Sequence, residues 1–179
     1  FTIGDHTMRV LVQYEKYFKD EALPEPMTRN FFRLFLALHD IGKKQSIESG
    51  KSEQQAEFNK IEIQKILGKF GFSPELILLA KTIVGFDPIG AVLKSKNPTE
   101  TAKLQWLRIQ ECANQFKIPP AKFYELMKIY YMSDASAYTS DARFPAMLDE
   151  IFSFDKEYQQ IYFSNKSETK LEALEDLVY

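Results

Sequence analysis

The stretch TRNFFRLFLALHDIGKK, residues 28–44, decides the fold. From Phe31 to Leu38 apolar side chains crowd together at helical rather than alternating spacing, and the run then ends on polar and charged residues. Thr28 is suited to cap the start, because its hydroxyl can accept from a backbone N–H of the first turn. Gly42 reads as a helix-ending glycine. A strongly apolar helix over residues 30–39 is expected, buried on most sides, and it delivers His39 and Asp40 next to one another at its end.

The same period continues on both sides. A first helix is expected over residues 5–18, with Met8, Leu11, Val12 and Tyr14 near one face, until Pro24 and Pro26 break it. Residues 45–52 are polar and read as a mobile loop. A helix over 53–70 follows, with Phe58, Ile61, Ile63, Ile66 and Leu67 as its apolar positions and Gly68 and Gly71 at its end. Ser73-Pro74-Glu75 starts the next helix, since proline suits a first turn. Residues 84–90 form a turn, with a short helix or loop to Lys96. Asn97-Pro98-Thr99-Glu100 opens a helix to about Phe116. Pro119 and Pro120 end that segment, and another helix runs over 121–138. Ser140 and Asp141 are placed to cap a helix reaching Tyr162, and Leu171, Leu174 and Leu177 share one side of a last helix. The reading is all-α: a single domain over residues 1–179, a bundle of about seven to nine helices with a C-terminal helical extension from about 141.

Composition agrees with a folded, packed chain. Hydrophobic residues make up 45% of the 179 and charged residues 27%, outside the disordered range. A net charge of −2 with mixed signs argues against a protein that mainly grips a nucleic-acid backbone, which needs a basic face. Cys112 is the single cysteine, so no intrachain disulfide forms, in keeping with a reducing, cytoplasmic setting. The apolar run 31–38 is interrupted by Arg33 and is far shorter than a bilayer span, so no membrane partner is expected. The first residues have no basic start and no apolar stretch, so no signal peptide is expected. The chain does not open on Met, which suggests a larger parent protein.

The chemistry rests on few residues. The chain has 2 histidines: His6, in the first turn of the first helix, and His39, followed at once by Asp40. Imidazole is a good transition-metal ligand and carboxylate supplies balancing charge. Adjacent His and Asp can reach one ion where the backbone leaves helical geometry. Asp134 lies far along the chain among apolar neighbours, where a carboxylate is costly unless paired or metal-bound. Tyr131 and Tyr138, about two turns apart, suit a core or cleft wall better than a base-stacking platform.

His6-Thr7-Met8-Arg9-Val10, Leu36-Ala37-Leu38-His39-Asp40-Ile41-Gly42-Lys43 and Ser133-Asp134-Ala135 together resemble the HD superfamily of metal-dependent phosphohydrolases, over roughly residues 4–140. The resemblance implies one divalent ion held by His6, His39, Asp40 and Asp134 between the first, second and seventh helices, with open positions for water and a phosphate oxygen. Two imidazoles and two carboxylates suit Mn, Fe, Co, Ni or Zn better than Mg. It implies hydrolysis of a phosphoester, mono- or diester, in a nucleotide or related phosphorylated small molecule, an RNA end included. Asp40 and Lys43 are then catalytic, and Lys43, Lys44 and Asp87 are candidate substrate contacts.

Two departures from the family pattern matter. No acid follows His39-Asp40 closely, so Glu53, Glu57, Asp87 and Asp141 are the candidates for a general acid or base. No further histidines follow, and Gln55, Asn59 and Asp87 stand in that region, which points to a single-metal site. The alternatives are a non-catalytic nucleotide-binding relative and a regulatory or interaction domain, with a homo-oligomer or parent protein as partner.

Overall fold

The computed structural model describes residues 2–140, 150–155, 157 and 160–179. It is an all-α bundle with one small hairpin. In chain order the helices are α1 (Ile3–Gln13), α2 (Arg29–Leu38), α3 (Lys43–Glu48), α4 (Gln55–Lys69), α5 (Pro74–Val84), α6 (Pro88–Lys94), α7 (Pro98–Gln115), α8 (Pro120–Ser136) and α9 (Asn165–Val178). A wide π turn, Tyr14–Phe18, continues α1, and a 3-10 turn, Ala137–Ser140, continues α8.

The cap chemistry sets most boundaries. Thr28 caps α2 by accepting from the Phe31 N–H, and Ser73 caps α5 in the same way with Pro74 in the first turn. α1 starts earlier than the expected residue 5, because Thr2 and Asp5 form a reciprocal capping box. Its inward stripe also differs from expectation. His6, Val10 and Tyr14, each four residues apart, are buried, whereas Met8 and Val12 are 61% and 56% exposed. Four-residue spacing keeps side chains on one helical face, so the polar His6 and not Met8 belongs to the inner row. Likewise Ile61 faces solvent, while Asn59, Ile63 and Leu67 form the buried row of α4.

The segment expected as a polar loop, 45–52, is helical for most of its length: α3 precedes a 3-10 turn, Ser52–Gln54. Gly42 does not end α2; His39 does. Gly42 has φ −87°, open to any residue, and opens α3. It is glycine because of close approach: a Cβ there would sit 2.4 Å from the Phe58 carbonyl carbon and 2.5 Å from the Asn59 nitrogen. This contact locks the 40–42 turn against α4.

The helix expected to reach Tyr162 is replaced, in its described part, by antiparallel strands β1 (Phe152–Asp155) and β2 (Gln160–Phe163), with Phe152 opposite Phe163. Ile161 and Phe163 are buried and Tyr162 is exposed between them, a period of two that marks a strand. Residues 74–94 are long and apolar enough by composition to span a bilayer, unlike the shorter 31–38 run. Here the stretch is broken between α5 and α6, and Leu79, Ala80, Ile83, Ile89 and Val92 are sealed in the core.

The core runs through α2 and α8. Phe32 and Phe35 are fully buried; Phe32 meets Tyr14 at 5.1 Å between ring centroids, and Phe35 meets Tyr130 edge-on at 5.0 Å. The tail helix α9 packs on its own chain through Leu171 and Leu174. Its Glu175 accepts from the buried Tyr124 hydroxyl at 2.9 Å and from Lys128 Nζ at 2.7 Å.

That clamp has a pH signature. Burial raises the Glu175 pKa, but the Lys128 and Tyr124 hydrogen bonds outweigh it, so the carboxyl sits below its ordinary value of 4.5. A depressed carboxyl contributes stability above its unfolded pKa and loses it as pH falls through the folded value. Glu175→Ala is expected to cost about 1–3 kcal/mol at neutral pH, chiefly by stripping the Tyr124 hydroxyl of its partner. In urea unfolding, the gap between wild type and variant should narrow as pH falls below 4.5. A gap independent of pH would remove the carboxylate from this account.

Candidate metal centre

Three helices bring the predicted ligands together. His6 sits in the first turn of α1, His39 ends α2, and Asp134 lies in the last turn of α8. The third helix is the eighth rather than the seventh, because α3 adds a helix where the sequence predicts a loop. His6 Nε2 is 2.7 Å from Asp134 Oδ1, and His39 Nε2 is 3.3 Å from the same oxygen. All three donor atoms fall within 4.8 Å of one another.

The imidazoles are sealed at 2% and 1% exposure, whereas the Asp134 side chain is 35% exposed and faces a cavity. The centre is therefore closed on the histidine side and open on the carboxylate side. Tyr138 stacks on the His6 ring at 4.5 Å, and Tyr130 meets His39 edge-on.

The local backbone orients each donor. His39 Nδ1 lies 2.7 Å from the Leu36 carbonyl, which can only accept, so Nδ1 carries a proton and Nε2 is the ring nitrogen turned toward the cluster. A carbonyl on the second ring nitrogen is the usual support of a metal-binding histidine. His39 Nε2 is buried and makes no well-aligned hydrogen bond. Two donors each about 2.1 Å from one ion, at tetrahedral or octahedral angles, lie about 3.0–3.4 Å apart. The His39–Asp134 contact of 3.3 Å falls in that spacing and the His6–Asp134 contact of 2.7 Å just below it, so the group could hold a cation. Burial raises the Asp134 pKa, but the attraction of the adjacent His39 and His6 rings outweighs this and holds the carboxyl below its usual range. The His39 ring shows the reverse balance: burial opposes its charge, Asp134 outweighs burial, and its pKa is raised.

Asp40 stands one step back. Its Oδ2 is 4.0 Å from both imidazole Nε2 atoms. Oδ2 also accepts from Lys43 Nζ at 2.8 Å, and Oδ1 accepts from Gln55 Nε2 at 2.7 Å. The turn after α2 is tight, with Ile41 N–H bonded to the Leu38 carbonyl and Lys43 N–H to that of Asp40. This departure from α geometry is what lets neighbouring His39 and Asp40 address one point. Burial disfavours the Lys43 ammonium, yet the Asp40 carboxylate outweighs it and raises its pKa.

The other predicted site residues divide clearly. Lys43 is at the centre, beside Asp40 and Tyr138. Lys44 is not: its side chain is 74% exposed and lies 3.7 Å from Glu48. Adjacent residues on a helix point about 100° apart, so only one lysine can face inward. Asp87 lines the cavity, but its Oδ1 accepts from the Gly90 N–H at 2.7 Å as the cap of α6. Glu53 is exposed, Glu57 pairs with Lys60, and Asp141 lies outside the described residues.

The cavity has a volume of about 510 Å³. Its walls come from the α5–α6 turn, from Tyr130, Tyr131, Asp134 and Tyr138 of α8 and the 3-10 turn that follows it, and from Lys166 and Lys170 of α9. The tyrosines fulfil the cleft-wall expectation. The α9 contribution carries no local signal, since nothing in residues 165–170 marks them as facing a distant cluster.

Fold and site together define a helical bundle carrying a histidine–carboxylate group able to hold a metal ion. No family model matches the chain, and neither curated proteins nor solved structures give a significant match.

Proposed function

We propose that this chain is a metal-dependent phosphohydrolase of the HD type, acting on a phosphoester in a nucleotide or a related phosphorylated small molecule. The observation that carries the reading is the convergence of His6 and His39 on one oxygen of Asp134, from positions up to 128 residues apart. His6, His39 and Asp134 would hold one divalent ion, with Asp40 as the fourth ligand. When bound, such an ion supplies Lewis acidity toward a phosphoryl oxygen and toward water.

The chain's own groups would do the rest. Lys43 is placed to offset phosphate charge next to the cluster. The cavity beside Asp134 is of mononucleotide size, within the usual 300–1,000 Å³ of small-ligand pockets, which favours a small ester over a polymer. Tyr130, Tyr131 and Tyr138 give that cavity aromatic walls and exclude water from one side of the ester.

A second reading, binding without turnover, draws support from the acids around the cavity. Asp87 is committed to its helix cap and Glu150 lies 3.4 Å from Lys166, so a ready general acid is wanting among the described residues. Elemental analysis and a panel of nucleotides and aryl phosphates with Mn, Co, Ni and Mg separate the two readings. Bound metal with turnover supports hydrolysis; bound metal with none supports the second. Asp40→Ala is expected to lose metal and any activity together, because it removes a ligand and the charge that balances the ion. Undiminished metal content in Asp40→Ala would refute that ligand assignment.

A further inference from the structure

Asp40 is held from both sides, and one of the holders belongs to a helix that contributes no ligand. Gln55 and Asn59 lie four residues apart on α4 and so project from one face. Gln55 Nε2 donates to Asp40 Oδ1 at 2.7 Å, and Asn59, itself buried, accepts the Gly42 N–H at 2.8 Å. The space a Gly42 side chain would need is filled by the α4 backbone at Phe58 and Asn59. The turn carrying Asp40 is thus packed directly against the backbone of the helix carrying Gln55.

A carboxylate can rotate about its terminal bond through a broad two-fold well. Fixing one oxygen removes that freedom and determines where the other points. Here Gln55 fixes Oδ1, and Oδ2, which also accepts from Lys43 Nζ, is the oxygen turned toward both imidazoles.

We propose that Gln55, on a helix that Asn59 ties to the Asp40 turn through the Gly42 N–H, is a positioning residue of the metal centre: its amide aims Asp40 Oδ2 at the ion. The proposal rests on the reading that the His6–His39–Asp134 cluster holds a cation. Gln55 touches neither ion nor substrate; it acts through Asp40. Outer-shell partners of this kind commonly govern about 10–100-fold in metal affinity. A purely structural role for the amide would show in folding stability alone.

The test uses the full chain and Co2+ alone, with affinity read by calorimetry and coordination read by the visible absorption of the bound ion. Gln55→Met keeps side-chain length and loses the N–H donors. It is expected to bind Co2+ about 10–100-fold more weakly than wild type. Its cobalt spectrum should shift toward that of Asp40→Asn, while its metal-free melting temperature stays close to wild type. Gln55→Asn, which draws the amide back by one methylene, should weaken binding in the same direction. Wild-type affinity and spectrum in both variants would overturn the positioning role while leaving the metal centre standing. Failure of the wild-type chain itself to bind Co2+ would overturn the centre, and this role with it.

Discussion

Asp134→Ala is expected to weaken Mn2+ or Co2+ binding by at least about a hundredfold, beyond the range lost with a mere outer-shell partner. The reason is geometric. Asp134 Oδ1 is the one atom in the cluster that lies close to both imidazole Nε2 atoms, at 2.7 and 3.3 Å. Without it the two rings keep their places, since His39 is fixed through Leu36 and His6 through stacking on Tyr138. What remains is two neutral donors, and Asp40 4.0 Å away from each. A divalent ion in a partly dehydrated site needs carboxylate charge as well as lone pairs. Titration calorimetry on the purified variant gives the answer, and near wild-type affinity would show that the cluster is not where the ion sits. Asp134→Asn serves as the companion, because it keeps an oxygen and the shape while removing the charge. An intermediate loss there would divide the effect between ligation and electrostatics.

Phe35→Ala is expected to lower unfolding stability by about 3–5 kcal/mol, the usual range for deleting a buried aromatic ring. Phe35 is fully enclosed, stacked against Phe32 at 5.9 Å and meeting Tyr130 edge-on at 5.0 Å. A loss of that size is a large part of the 5–15 kcal/mol by which ordinary domains are stable. It would appear as a shift in the urea midpoint with little change in slope, provided unfolding stays two-state. The same ring also supports the metal centre. His39 follows Phe35 by one helical turn, and both rings lean on Tyr130. Metal affinity should therefore fall as well, by less than in Asp134→Ala. A stability loss under about 1 kcal/mol would mean that neighbouring side chains collapse into the space, which the close packing around α2 opposes.

The two substitutions probe different sources of the site. Phe35 belongs to a pattern that any reader of the sequence can see, a dense apolar helix running into His39-Asp40. Asp134 belongs to a helix whose local sequence says little more than that a carboxylate sits among apolar neighbours. Its pairing with His6 depends on how α1 and α8 cross, and that crossing is set by packing over the whole bundle.

The residues by themselves determined the helical character, most caps and breaks, and the types of group available for chemistry. These are local properties: a threonine hydroxyl within reach of the third N–H beyond it, a proline that cannot donate, a period of 3.6. They also singled out His6, His39, Asp40 and Asp134 through the resemblance of three short motifs. Local rules misjudged segments whose state depends on contacts from elsewhere. Residues 43–48 are polar apart from Ile47, yet they coil into α3, which follows a turn packed against α4 at Gly42. In its described part, the expected helix up to Tyr162 gives way to paired strands whose Ile161 and Phe163 find burial, since cross-strand pairing and packing outweigh helix propensity there. Only the tertiary arrangement placed Gln55 on Asp40, brought Lys43 beside Tyr138, and set α9 lysines beside the cavity. Each of those outcomes turns on distances between residues remote in sequence, and such distances exist only once the helices have packed.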